Sequence, residues 1–289
     1  MTLSESPPEP LEQLQRYLDI ATEAALAAGA VLEKSWGNVQ SITNKGRPGD
    51  LVTEVDKASE VVLLKVLNRH LPDHAILAEE SGQIQGVSDR YRWAVDPLDG
   101  TTNYTHGYPA ASVSIGLLIE GQPAVGVVYD PYSHNLYRAA TGLGATCNRQ
   151  PMQVSGTSSL ADSLLVTGFA YDRHGRTDNN YAEFCYLTHL TQGVRRGGSA
   201  ALDLAHVAAG RLDGYWERGL SPWDITAGIV LVQEAGGRVT AYDDSSQDLE
   251  SGRILATNGS IHDPLSHALL HTPPISTWAD AAAMAAIQI

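Results

Sequence analysis

The apolar positions of the chain change period along its length. In LEQLQRYLDIATEAALAAGAVLEKSW (11–36), Leu11, Leu14, Leu18, Ala21, Ala25 and Ala28 recur at steps of three and four, which predicts an amphipathic helix. NKGRPGD (44–50) predicts a loop, and VDKASEVVLLKVLNRHL (55–71) predicts a second helix that stops before Pro72. HAILAEES (74–81) is briefly apolar and then abruptly acidic, a strand whose carboxylates emerge at its end. WAVDPLDGTTNY (93–104) ends in the same way, and Pro97 with Asp99-Gly100 predicts a turn that reverses the chain between two strands.

From Ala110 the period becomes that of strands. ASVSIGLLIEG, QPAVGVVYDPY and NLYRAATGLGATCN predict consecutive antiparallel strands separated by Gly, Pro, Asn and Asp. ADSLLVTGFAY predicts another strand, NNYAEFCYLTHLT a helix, and SAALDLAHVAAG a helix stopped by Gly210. LDGYWERG reads as a strand, WDITAGIVLVQEAG as a helix closed by Gly236-Gly237, and RVTAYD and GRILATNG as the last strands. Helices mixed with hairpin-like and isolated strands predict layered α and β rather than simple βαβ alternation. The segment after Thr272 could hold a short helix, with no evident part in the core.

Composition narrows the picture. Hydrophobic residues make up 43% of the 289 and charged residues 18%, as in folded chains, and this length buries a large core without covalent staples. Cys147 and Cys185 are too few for a disulfide framework and sit in no metal-ligand spacing, which predicts a reducing, cytoplasmic setting. No segment offers about 18 uninterrupted apolar residues, and the N-terminus lacks a signal-peptide pattern. A formal charge of −14 leaves no basic footprint for nucleic acid or an anionic membrane, so an anionic ligand would need bound cations to attract it.

Clustered acids could hold such cations. Taken singly, Glu79 with Glu80 reads as a solvated strand end, Asp224 as the start of a helix after Pro222, and Asp56, three residues after Thr53, as the partner in a capping box. Taken together, Glu79, Asp96, Asp99 and Asp224 all fall where an apolar element begins or ends, which is where ligand sites collect in α/β proteins. Oxygen donors without His or Cys suit Mg²⁺ or Mn²⁺ better than zinc.

The motifs GDLVTEVD, LAEES, DPLDGTTNY and PWDITAG occur in one chain in this order. Through them the chain resembles the inositol monophosphatase family, within the lithium-sensitive, magnesium-dependent phosphatase superfamily, from about Leu11 to His271. The resemblance implies an α/β fold of the α+β layered kind, an alternating αβαβα sandwich of the inositol monophosphatase and fructose-1,6-bisphosphatase type. It also implies one catalytic unit over 11–271, with 11–150 carrying metals and catalysis, 151–271 the substrate wall, and 272–289 a C-terminal tail.

By the same resemblance, Glu79, Asp96 and the Leu98 carbonyl hold one Mg²⁺, and Asp96 bridges to a second held by Asp99 and Asp224. A third, weaker ion lies near Glu79, and Mn²⁺ is a possible substitute. Thr101 matches the hydroxyl that orients the attacking water, Asp56 the carboxylate that hydrogen-bonds that threonine, and Glu79 can accept the proton. Substrate contacts fall to Asp99, Gly100, Thr101, Gly198, Ser199, Ala200, Glu217 and Asp224, although SAALDLAHVAAG is otherwise ordinary helix core.

The implied activity is hydrolysis of myo-inositol monophosphates to inositol and phosphate, by a homodimer sensitive to lithium and without nucleic-acid or membrane partners. Histidinol phosphate, fructose 1,6-bisphosphate and 3'-phosphoadenosine 5'-phosphate are alternative substrates. A regulatory, RNA-polymerase-associated binding protein is the alternative from another class. One departure from the animal enzymes is TGFAYDRHGR (167–176), where Tyr171 stands about where a substrate-touching serine is expected. Lys45, ahead of Asp50, is a further candidate for attracting phosphate.

Overall fold

In the first helix, α1 (Leu11–Ser35), the predicted stripe is buried from Leu14 onward, with Ala21, Ala25 and Ala28 fully covered together with Ala24, while Leu11 at the start is 54% exposed. The small alanine side chains let the helix lie close to a sheet. Gly29 completes the contact, since a Cβ there would overlap the Tyr129 ring. The computed structural model describes residues 8–46, 49–242, 245 and 247–273.

After α1 come β1 (Ile42–Asn44), β2 (Leu51–Thr53), α2 (Glu54–His70), β3 (Ala75–Ala78), β4 (Gly82–Ile84), β5 (Tyr91–Asp99) and α3 (Thr101–Thr105). A meander follows, with β6 (Ser112–Ile119), β7 (Gln122–Asp130), β8 (Asn135–Ala140), β9 (Gly144–Cys147) and β10 (Gln150–Pro151). The remainder is β11 (Leu164–Thr167), α4 (Tyr181–Leu190), β12 (Gly193–Arg195), α5 (Ala200–Ala208), β13 (Gly214–Glu217), α6 (Pro222–Glu234), β14 (Arg238–Thr240), β15 (Ile254–Thr257) and α7 (His262–Leu270).

One sheet of eight strands runs in the order β10-β9-β8-β7-β6-β5-β3-β4, and a second of five runs β12-β11-β13-β15-β14. Three apolar clusters mark the layers. α1 and α2 cover one face of the large sheet, α5 and α6 fill the space between the sheets, and α4 and α7 cover the far face of the small one. This is the alternating αβαβα sandwich that the motifs implied.

Several local expectations change. The loop 44–50 joins a short hairpin, β1 with β2, and NLYRAATGLGATCN splits into β8 and β9 around a turn at Thr141–Leu143. The turn predicted after Asp96 is instead a β-bulge inside β5. Asp96 pairs with Ser114 and Asp99 with Ser112, so three steps on one strand match two on the other. Side chains three apart on a regular strand point to opposite faces, and the one extra residue restores Asp96 and Asp99 to the same face. The C-terminal tail from 274 lies outside the described residues.

The middle layer positions the site. Gly116 of β6 and Gly126 of β7 are cross-strand partners, and a Cβ on either would overlap Thr226 or Ala227 of α6. The glycine pair is the seat on which α6 lies, and the N-terminal turn of α6 carries Asp224. Gly126→Ala should therefore cost about 1–3 kcal/mol through overpacking and displace Asp224. Urea unfolding tests this, and an unchanged midpoint would show that the helix does not depend on the seat.

Candidate active site

A cavity of about 230 Å³ opens where the bulge of β5, the hairpin β1–β2 and the N-terminal ends of α3, α5 and α6 converge. Glu79, Asp96, Leu98, Asp99, Gly100, Thr101, Gly198, Ser199, Ala200, Glu217 and Asp224 all line it. Asp56 lies one layer behind, its Oδ1 accepting from the Thr101 hydroxyl at 3.0 Å. Residues predicted from across the chain thus meet at one place.

Ligand atoms of Asp96, Asp99 and Asp224 lie within 4.8 Å of one another. Asp96 is 2% exposed, and its Oδ1 accepts from the Leu98 amide at 2.8 Å. Asp99 Oδ2 accepts from the Ser199 hydroxyl at 2.6 Å and the Ala201 amide at 2.7 Å. Asp224 closes a capping box with Ser221, whose amide donates to its Oδ2 at 2.6 Å. Each carboxylate is oriented by its own helix or turn, and each keeps a further oxygen for a ligand.

Burial, then the charges of Glu79 and Asp99, push Asp96 well above the usual carboxylate range. Burial likewise pushes Asp99 up to about 6, against the hydrogen bonds of Ser199 and Ala201, and burial with the charge of Asp99 raises Asp224. Glu79 Oε2 is buried without a hydrogen-bond partner. Like charges packed this closely call for a cation, and an all-oxygen donor set fits a hard divalent metal.

Lys45 on the β1–β2 hairpin pairs with Glu79 at 2.8 Å and with Glu80. Burial alone would lower it, but the two glutamates hold its ammonium above its ordinary value. Burial takes Glu80 up to about 7. Lys45 and Arg196 are the cationic side chains among the residues lining the cavity, which otherwise includes Asp50, Glu79, Asp96, Asp99, Glu217 and Asp224.

Both readings of Asp56 hold at once. Its Oδ2 closes the Thr53 capping box of α2, accepting from the Thr53 amide at 2.9 Å and the Thr53 hydroxyl at 2.5 Å, while Oδ1 faces Thr101. Gly100 has φ 95°, and a Cβ would meet the Ala110 carbonyl. Glycine is thus required by the backbone at this point.

Ser199, expected beside substrate hydroxyls, gives its hydroxyl to Asp99, and Ser112 lies 3.2 Å behind it. Ser114 donates to the Trp223 carbonyl at 3.0 Å, tying β6 to the first turn of α6. These two serines of β6 did not enter the sequence-based site. Their signal is visible all the same, as polar residues at alternate positions of the otherwise apolar run SVSIGLLI. Glu217 is buried beside Gly168, burial raises it to about 7, and its Oε2 accepts from Tyr215 at 2.7 Å.

A layered α/β sandwich whose element ends bring a cluster of carboxylates together at one cavity fits a metal-dependent phosphatase. The sequence profile of the inositol monophosphatase family matches residues 13–273. An inositol-1-monophosphatase from Synechocystis sp. is 64% identical over 273 residues, covering 94% of this chain and 95% of that one. The solved structure of an inositol monophosphatase from Anabaena (Nostoc) sp. superposes with a TM-score of 0.86 at 64% identity, covering 92% of this chain and 100% of that one. The Nus factor SuhB of Pseudomonas aeruginosa is 43% identical over 268 residues, 90% of this chain and 98% of its own. The chain belongs to the inositol monophosphatase family.

Proposed function

We propose that the protein is a Mg²⁺-dependent phosphatase that hydrolyses inositol 1-phosphate and related myo-inositol monophosphates to inositol and phosphate. The observation that carries this reading is the cluster of Asp96, Asp99 and Asp224 beside Glu79, whose Oε2 has no hydrogen-bond partner, in a chain 64% identical to an inositol-1-monophosphatase. Glu79, Asp96, the Leu98 carbonyl, Asp99 and Asp224 would hold two Mg²⁺, with a third near Glu79 and Mn²⁺ as a substitute. When bound, the cations supply Lewis acidity for a water nucleophile and neutralise charge on the entering and leaving oxygens.

The protein's own groups orient the reaction. The Asp56 carboxylate accepts the Thr101 hydroxyl hydrogen, which leaves the threonine oxygen to accept a hydrogen from water and aim its lone pair at phosphorus. Glu79 takes the proton as the new P–O bond forms and the ester P–O bond breaks, and a water molecule gives the departing alkoxide its proton, the proton held by Glu79 passing back to solvent so that one water is consumed per ester cleaved. The amides of Gly100 and Thr101 hold phosphate oxygens. Gly198, Ala200 and Glu217 meet the hydroxyls of the alcohol, with Asp99, Asp224 and the committed Ser199 beside them. In this reading residues 11–150 supply metals and catalysis, and 151–271 the substrate wall.

The same reading includes a homodimer, inhibition by lithium and a cytoplasmic location, without nucleic-acid or membrane partners. The acidic net charge of −14 supports the last point, and no helix among the described residues is long and apolar enough to cross a membrane. Sedimentation as a monomer alone would remove the dimer. The Nus-factor name of a relative at 43% identity keeps a regulatory role as the second reading, one that does not require turnover.

Thr101→Ala should lower kcat by about 10²–10³-fold, as expected for loss of a water-orienting group, with Mg²⁺ affinity by calorimetry unchanged. An unaltered kcat would remove Thr101 from this role. Substrate choice is tested by kcat/KM for inositol 1-phosphate, histidinol phosphate, fructose 1,6-bisphosphate and 3'-phosphoadenosine 5'-phosphate with Mg²⁺. Inositol 1-phosphate should lead, and a preference of about tenfold or more for another ester, ~1.4 kcal/mol, would overturn the assignment.

A further inference from the structure

Between Thr167 at the end of β11 and Tyr181 at the start of α4 the chain forms only one short 3-10 turn, Arg173–Gly175. This connection carries Phe169, Ala170 and Tyr171, one side of the cavity, so whatever holds it sets that wall. Its root is fastened by buried Asn180. The Asn180 amide donates to the Thr167 hydroxyl and the Gly168 carbonyl, each at 2.7 Å, and its oxygen accepts from the Trp216 indole at 2.6 Å.

Its middle is held by charge. Arg218 directly follows Glu217, yet it does not line the cavity. Its side chain is only 6% exposed, with Nη2 donating to Asp172 at 2.9 Å, while Nε lies 3.4 Å from Asp178 as a charge contact without a hydrogen bond. Arg253 reaches Asp178 from the other side and lies over the Tyr242 ring at 5.8 Å. Arg176 pairs with the second oxygen of Asp172 at 3.0 Å.

A desolvated guanidinium is costly to keep, and a hydrophobic replacement is often neutral or stabilising, so such a pair is weak evidence for stability. What it does supply is geometry. A planar fork can hold two carboxylates at once in fixed directions, which an ammonium on a flexible stem cannot do as rigidly. Thr167 and Trp216 pair in parallel, and Gly168 lies against Glu217. Asp172 is the residue next to Tyr171 and Arg218 the residue next to Glu217, so the ion pair ties these two neighbouring segments together behind the cavity and fixes where Tyr171 stands relative to Glu217.

We propose that Arg218 is a positioning residue: by holding Asp172, with the charge of Asp178 beside it, it fixes Tyr171 relative to Glu217 and so governs selection of the alcohol part of the ester. The proposal rests on the phosphatase reading above. A larger polyol such as inositol would reach Tyr171 and Glu217 together, whereas the alcohol of glycerol 2-phosphate is too small to depend on their relative placement.

The test is steady-state kinetics of the full chain with saturating Mg²⁺ on inositol 1-phosphate and glycerol 2-phosphate, for Arg218→Gln, Arg218→Lys, Asp172→Asn and the Arg218→Gln/Asp172→Asn double variant. Arg218→Gln should raise KM for inositol 1-phosphate about tenfold, as misplacement of a substrate-facing wall does, with kcat held within about twofold. Arg218→Lys should recover part of the loss. Asp172→Asn should reproduce it, and the double variant should be no worse than the poorer single one. For glycerol 2-phosphate kcat/KM should stay within about twofold throughout.

Parallel losses on both esters, additive effects of the two substitutions, or an unchanged KM would each overturn the proposal. If Arg218→Gln does not fold, Asp172→Asn, whose side chain is 35% exposed, decides alone. If the parent chain prefers another ester, the substrate assignment fails separately, and that ester replaces inositol 1-phosphate in the comparison.

Discussion

Asp96→Asn is expected to lower kcat/KM for inositol 1-phosphate by about 10³-fold or more, ~4 kcal/mol at the transition state, while the protein stays folded. Asparagine has the same shape and can still accept the Leu98 amide that Asp96 accepts at 2.8 Å, so the bulge of β5 keeps its geometry. What it removes is one negative charge from a cluster in which Asp96, Asp99 and Asp224 lie within 4.8 Å. With Mg²⁺ present that charge would serve as a metal ligand. Without metal it is an uncompensated, buried repulsion. The variant should therefore be inactive, should bind Mg²⁺ weakly, and when metal-stripped should melt above the parent chain at pH 8. Calorimetry and kinetics on one preparation check all three, and undiminished turnover would sink the metal-ligand role.

The second large effect is a dependence of stability on pH that metal reverses. Burial raises Asp99 from 3.8 to about 6 and Glu217 from 4.5 to about 7, and Asp96 and Asp224 are raised as well. A carboxyl raised by folding binds more protons in the native than in the unfolded state. Its stabilising contribution is complete below the unfolded value and is lost as pH rises through the folded one. Each displacement of about two units is worth at most ~3 kcal/mol. The metal-stripped protein should thus lose stability between about pH 5 and 8. Glu54, lowered to about 2 by the Gln40 amide, acts in the opposite sense but only below this window.

Bound Mg²⁺ stabilises only the native state and competes with these protons, so its gain in Tm should be larger at pH 8 than at pH 5. Thermal melts in chelator and in excess Mg²⁺ at the two values measure this. A metal-free melting temperature that rises from pH 5 to 8, or a Mg²⁺ gain independent of pH, would show that the cluster is not the dominant titrating unit.

Much of this site could be read from the chain because its acids stand at the borders of apolar runs, where period and polarity change together. The helices α1, α2, α5 and α6 were equally legible from apolar steps and glycine stops. The β-bulge was not, because DPLDG carries every local sign of a turn and only pairing with Ser112 and Ser114 carries the strand through to Asp99. β1 and β2 are three residues each, too short for a period to appear. α7 did leave a signal: Ile261, Leu265, Ala268 and Leu269 have helical spacing and are buried, and Pro264 lies in the first turn, where its missing N–H costs nothing. The glycine pair Gly116 and Gly126 and the Arg218 clamp depend on contacts between elements far apart in sequence, which no local pattern encodes.

The most direct test of the account is kcat/KM for inositol 1-phosphate on the metal-stripped protein, before and after Mg²⁺ is restored. No turnover is expected in chelator and full recovery with Mg²⁺, because the proton transfer to Glu79 and the contacts of Asp99 and Asp224 with the ester would serve the reaction only with the cations in place. Hydrolysis at the same rate in both conditions would contradict it.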